Sequence, residues 1–205
     1  EIYTLSLHDA LPIFGRPLQW RHLIEWMRQD GVITNEEAER TVARIGQAES
    51  SQHALVRLAA IGVTDAQGNV MDVERLTEYL AGRARLGYLR IDPLKVEVGK
   101  VAETMSAAYA ERHKVLPVQV TSGEVVVATS EPFITDWVAE VERQSKRMVR
   151  RVVANPADIR RYTAEFFALA KTVRAVQKSS GGVSATASFV CQRSEERRVG
   201  KECRS

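Results

Sequence analysis

Few residues in this chain are of a type and spacing that could do chemistry. His22, His53 and His113 are the histidines that could bind a metal or move a proton. They are far apart, and none has a cysteine or second histidine close by, so no zinc-type ligand pair is spaced for use. Acid pairs occur at Glu36/Glu37 and Glu140/Glu142, but no base or nucleophile accompanies them. Glu36 and Glu37 sit where a helix should begin, and the helix dipole and cap account for them simply. No G-x-x-x-x-G-K-[ST] loop, H-E-x-x-H, G-x-S-x-G or dinucleotide fingerprint occurs. The stretch SGGVSATAS (180–188) has glycines but no Lys-Ser/Thr to cradle a nucleotide phosphate. The sequence therefore predicts no catalytic, cofactor-binding or metal-binding residue.

Charge and aromatic residues suggest recognition instead. RQSKRMVRR (143–151), joined by Arg160 and Arg161, is the most basic stretch. Acidic residues precede it (Glu131, Asp136, Glu140, Glu142) and no aromatic residues interleave it, which argues against nucleic acid. It reads as a solvated or partner-facing surface. Trp20 and Trp26 lie close together but six residues apart, so they do not share one helical face. An exposed tryptophan would suit a docking surface. Trp20, Trp26, Arg147, Arg150 and Arg151 are the candidate partner-docking residues.

The elements that must position these residues fall into two kinds. Trp20, Leu23, Ile24 and Met27 fall at i, i+3, i+4, i+7, the stripe of an amphipathic helix. Gly31 is placed to stop it, and Thr34 with Glu37 is a capping-box signature. A second helix runs to about Ile45 and stops at Gly46, and a third spans about Ser51–Ala60. TDAQGN (64–69) reads as a loop, and Asp72 caps a fourth helix with Val73, Leu76 and Leu80 inward. LIEWMRQDGVIT (23–34) and LVRLAAIGVTD (55–65) form a faint repeat of helix, glycine and apolar residue. After about residue 85 the period changes. GYLRID (87–92) reads as a short strand closed off by Pro93, and 98–112 as one helix. VLPVQV (115–120) and EVVVATS (124–130) form a hairpin. Phe133, Trp137 and Val141 mark a helix, RMVRRVVA (147–154) a strand, and Asn155-Pro156 opens a helix carrying Ile159, Tyr162, Phe166 and Leu169. The expected fold is α+β: a small helical bundle over 14–84, then an α-β-β-α-β-α unit with a three-stranded sheet over 85–176. A flexible Gly/Ser-rich linker is expected over 177–192.

Both ends of the chain break this pattern. A single DNA string encodes EIYTLSLHDALPI (1–13) on one strand and, shifted by one base, RSEERRVGKECRS (193–205) on the other. The string resembles a short-read sequencing adapter, so both ends are read as translated adapter and set apart from the fold. They carry five basic and five acidic residues, so the net charge of +3 is unchanged without them. Of the two cysteines, Cys203 falls in that tail, which leaves Cys191 alone and no disulfide to build. No apolar run approaches the roughly 20 residues needed to span a bilayer. The expected setting is cytoplasmic.

One series of residues is more specific. LGYLRIDPLKVEVGKVAETMSAAYAERHKVLPVQVTSGEVVVATSEPF (86–133) resembles the N-terminal domain of the type II secretion and type IV pilus assembly ATPases, the GspE/PilB family. The shared parts are L-G-x-x-x-[LI]-D-P, a helix ending before V-L-P, and V-A-T-S-x-P-F. VVANPADIRRYTAEFFALAKTVRAV (152–176) is similar to the family's next strand and helix. Residues 18–84 resemble it more loosely.

The resemblance implies a docking and regulatory module rather than an enzyme. In the family this region precedes a hexameric motor. It attaches that motor, at the cytoplasmic face of the inner membrane, to the cytoplasmic domain of a platform protein. ATP and magnesium would belong to the motor, which is expected to follow the linker and is absent here. A hexamer is expected only of the full-length parent, and neither nucleic acid nor a membrane span is implied. Some relatives bind cyclic di-GMP through tandem R-L-G-led segments. Here the matching positions read His22-Leu23-Ile24 and His53-Ala54-Leu55, without the arginine suited to guanine and phosphate. Arg85-Leu86-Gly87 is out of register with them. Cyclic di-GMP sensing is therefore the alternative reading.

Overall fold

The computed structural model describes residues 15–45 and 51–180. Residues 1–13, 193–205 and most of 177–192 lie outside them, as does Gly46.

The apolar stripe of the first segment forms α1 (Trp20–Gln29), with Leu23, Ile24 and Met27 buried. Gly31 follows with φ 68°, the left-handed geometry that lets the chain reverse without a Cβ clash. The Thr34 hydroxyl accepts from the Glu37 amide and opens α2 (Asn35–Ile45). α3 (Ala54–Ile61) is capped by His53, whose Nδ1 accepts from the Leu55 amide at 3.3 Å. α4 (Val73–Arg83) is capped by Asp72, which accepts from the Arg75 amide. Leu23, Met27, Leu55, Leu58, Leu76 and Leu80 make the center of this helical lobe's core.

The second lobe is built on a sheet of order β1-β4-β3-β2. β1 is Gly87–Tyr88, β2 is Val115–Val120, β3 is Glu124–Thr129 and β4 is Met148–Val153. β2 and β3 pair antiparallel, as their short turn requires, while β3–β4 and β4–β1 are parallel. α5 (Val98–Thr104), α6 (Ala107–His113), α7 (Val138–Ser145) and α8 (Pro156–Ser180) supply its helices. β3 reads as a continuous apolar run because both its faces are covered; Val125, Val126, Val127 and Ala128 are all buried.

The α+β class stands, with four differences from the sequence reading. The sheet has four strands rather than three, because Gly87 and Tyr88 pair with Val152 and Val153. The rest of 87–92 is not strand, since Asp92 turns the chain into a 3₁₀ turn at Pro93–Lys95. The helix expected over 98–112 is two. Met105 is extended and buried, and Ser106 then caps α6 by accepting from the Tyr109 amide. Phe133–Trp137 precedes the helix assigned to it: Pro132 and turns at Ile134 and Val138 delay α7. In addition, α8 continues through 177–180, into the expected linker.

The two cores meet on β4. Val152 belongs to the sheet-lobe core and Val153 to the helical-lobe core. α4 packs on β1 and β4, and α3 reaches α8.

Candidate docking site

The joint between the lobes centers on a buried carboxylate. Glu131 follows β3, its side chain only 6% exposed. One oxygen accepts from the Leu18 amide at 2.7 Å, and the other lies 3.2 Å from His53 Nε2. Because His53 Nδ1 already accepts a hydrogen bond, the proton of the neutral ring belongs on Nε2, facing Glu131. One carboxylate thus ties three segments together: the approach to α1, the start of α3 and the end of β3. Above it Trp26 packs edge-on against Phe133 at 5.6 Å between centroids, and His22 stacks on Trp26 at 6.2 Å. Gly15 closes the joint by donating to the Phe133 carbonyl.

A groove of about 700 Å³ lies elsewhere on the helical lobe, between the α1–α2 turn and α4. Asp30, Val32, Met71, Arg75, Tyr79, Arg83 and others line it. Asp30 accepts from the Tyr79 hydroxyl at 2.6 Å and from Arg83 at 2.9 Å. Burial first, and then this carboxylate, raise the Tyr79 phenol well above its usual range. At one end Asp65 accepts from the amides of Asn69 (2.8 Å) and Gln67 (3.0 Å) and from Arg75 (2.9 Å). The Asn69 amide leads these in holding Asp65 down at about 2. The acids that line the groove nearly match its arginines, so it is no anion trap.

The third feature is the basic strand. Arg150 on β4 pairs with Glu124 on β3 at 2.8 Å, and Arg151 donates to the Pro132 carbonyl at 2.8 Å. Arg147 precedes the strand, and Met148 beside it is 75% exposed.

Of the five predicted docking residues, Arg150 and Arg151 are neighbours on β4 that point to opposite faces, one to Glu124 and the other to the Pro132 carbonyl, and Arg147 lies just before the strand. The tryptophans stand apart from them. Trp20 lies under Arg21, and Trp26 faces Phe133 in the joint and Arg83 at 5.4 Å. The sequence reading missed Glu131 and Glu37. Glu37, taken as a helix-start acid, is buried and accepts from the Thr64 amide at 3.0 Å. Its one sequence signal was its place at N3 of a capping box, which does not reveal a long-range partner. His53 is half-buried and caps α3. A further cluster joins α4, β1 and α8. Glu74 accepts from the Tyr88 hydroxyl and from Asn155 at 2.7 Å, and burial with that carboxylate pushes Tyr88 up to about 12. Desolvation and then Glu74 also raise Asp158. Among the described residues, no three His, Cys, Asp or Glu side chains form a metal-binding group. Nor is any helix there long and apolar enough to cross a membrane.

Comparison with known proteins agrees with this architecture. Residues 84–173 match the model of the MshEN domain. Over 110 residues the chain is 30% identical to the type IV pilus assembly ATPase TfpB of Acinetobacter baylyi, covering 53% of this chain and 19% of that protein. The chain thus spans about a fifth of the length of the curated relative it matches. Its fold is similar to that of MshE solved with cdg, with a TM-score of 0.51 and 13% identity over 70% of this chain and 97% of that one. A structure of the N-terminal domain of XpsE aligns over 73% of this chain and 96% of its own, at 15% identity and a TM-score of 0.44. Residues 84–173 thus match the MshEN domain, and the chain is similar to part of a type IV pilus assembly ATPase.

Proposed function

We propose that this module docks and regulates a secretion or pilus assembly motor. It would hold the motor to the cytoplasmic domain of an inner-membrane platform protein and lie peripherally at that membrane. The observation that carries this reading is the MshEN match over 84–173, in a chain without a phosphate loop that resembles part of a much longer pilus assembly ATPase. ATP hydrolysis would then be the work of a motor domain, with this module supplying attachment. Trp20, Arg147, Arg150 and Arg151 are the residues proposed to meet the partner. The test is retention of the platform protein's cytoplasmic domain on the immobilised chain. Retention that falls with added salt supports the reading, and no retention at low salt counts against it.

The likeness to MshE with cdg favours a second reading, a cyclic di-GMP sensor. Two features weigh against it. His22 and His53 stand where the arginine-led segments would begin, and both lie at the lobe joint rather than on an open face. His53 faces the Glu131 carboxylate, which would oppose a phosphate there. Micromolar binding of cyclic di-GMP to the chain would reverse the ranking.

A further inference from the structure

The sheet has two outer edges, one along β2 and one along β1 and the part of β4 beyond it, and they are protected unequally. β2 carries Pro117 and a register shift between Pro117 and Gln119, and α5, α6 and α8 pack against it. Proline and bulges are the usual defences of an outer strand. β4 has neither. Among the described residues, β1 pairs with β4 only at Val152 and Val153, and no strand lies on the outer side of residues 148–151.

The direction of each backbone group follows from the alternation of a strand. The Met148 amide donates inward to the Gly123 carbonyl beside β3, and the Val153 carbonyl accepts outward from Leu89. Val149 and Arg151 therefore direct their amides outward with Val153. The Glu142 carboxylate of α7 accepts from the Val149 amide at 3.0 Å, in the place a neighbouring strand would take. The Arg151 amide lies one residue beyond the last β1–β4 pair. Around this edge stand Lys146, Arg147, Arg150 and Arg151, with Arg150 55% exposed even in its pair with Glu124. Met148 adds an exposed apolar side chain.

We infer that the outer edge of β4, Met148–Arg151, accepts an extended acidic segment of a partner protein as an added strand. Main-chain hydrogen bonds from such an edge bind any extended backbone, and the flanking side chains select the sequence. Here the flanking charges select against a second copy of this edge, because two such edges would set arginines opposite arginines. A segment alternating acidic and β-branched residues sets its acids against Arg147 and Arg151 on one face and its β-branched residues against Met148 on the other, the face that Arg150 shares. Its first carboxylate takes over the role of Glu142. The inference rests on the docking reading above for the existence of a partner, and it specifies the surface and the chemistry.

The probe is a twelve-residue peptide of alternating Glu and Val, with a Lys/Val peptide as control, added to the full chain. We expect the Glu/Val peptide to bind at least tenfold tighter than the control and to slow exchange of the Arg151 amide at least tenfold. Arg151→Pro removes that donor on the solvent side of the strand and should weaken binding at least tenfold. R147E/R150Q, which keeps every backbone group, should do the same and serves if the proline variant is unfolded by circular dichroism. Equal binding of both peptides, no binding, or full binding by R147E/R150Q would each overturn the inference. Platform-domain retention unchanged in that variant would refute this edge and leave the docking function standing. Peptide pairing at the edge without platform retention would do the reverse.

Discussion

The two lobes are stabilised by different means. In the sheet lobe, Val115, Leu116, Val125, Val127 and Ala128 lie fully buried on β2 and β3, and Trp137 joins the same core. Its buried threonines, Thr104, Thr129 and Thr163, bond only to backbone within four residues of themselves. The helical lobe has a leucine core of its own, but buried or half-buried carboxylates set how its helices meet. Glu37 holds the Thr64 amide, Asp65 closes its own loop and binds Arg75, and Asp30 joins α1 to α4. Apolar pattern therefore specifies the sheet lobe and polar clamps specify the helical lobe. A lobe built on pattern keeps a recognizable sequence, which fits the MshEN match beginning at residue 84.

The largest expected effect lies in the sheet lobe. Trp137→Ala empties a site that is 1% exposed and removes the indole donor to the Ile134 carbonyl, a loss of about 3–5 kcal/mol. Leu58→Ala, the matching change in the helical core, should cost about 2–5 kcal/mol. Because Val152 and Val153 serve different cores, both variants should melt in one transition by calorimetry; two separated transitions would show independent lobes.

Next is the joint. Glu131→Ala leaves the Leu18 amide buried without its acceptor and removes the carboxylate beside His53 Nε2, at a cost of about 1–3 kcal/mol. Glu131→Gln keeps an acceptor for one of them and should cost less. Denaturant titration checks both, and equal stability of the alanine variant would remove Glu131 from its bridging role.

How much of this was readable in the sequence follows the same division. The α1 stripe, the β2–β3 hairpin and the Asn155-Pro156 start are local signals, and each falls within a residue or two of its place. The break between α5 and α6 was missed because Val101, Met105 and Ala108 continue a helical period; the Ser106 cap overrides it locally. GYLRID (87–92) reads as a strand but stands outside the expected sheet, because only its first two residues pair, and with β4, a partner more than sixty positions away. Of the docking candidates, Arg150 and Arg151 lie on one strand with Arg147 just before it, a nearness that sequence position alone shows. Trp26 turns toward Phe133, more than a hundred positions distant, and no local pattern reports that. Glu37 and Glu131 were invisible for the same reason: their acceptor role depends on amides brought near only by the fold.

The helical lobe's clamps also give it a distinct response to acid. Asp65 is held at about 2 in the fold against 3.8 for the free side chain. A depressed carboxyl contributes stability that is full above about pH 4 and is lost as the pH falls toward 2. Asp65→Asn should flatten that part of the acid unfolding curve followed by circular dichroism. An unchanged curve would mean the clamp adds nothing. The smallest effect is expected at the surface pair of Arg143 and Glu140, 3.6 Å apart and well exposed. Arg143→Ala should change stability by less than about 0.5 kcal/mol.

The central claim is that this chain attaches a motor to a membrane platform rather than sensing a nucleotide. Parallel calorimetric titrations of the full chain test it most directly, one with the cytoplasmic domain of the platform protein and one with cyclic di-GMP. The account predicts saturable, salt-sensitive binding of the protein domain and no heat from the dinucleotide. Micromolar binding of cyclic di-GMP with no response to the platform domain would contradict it.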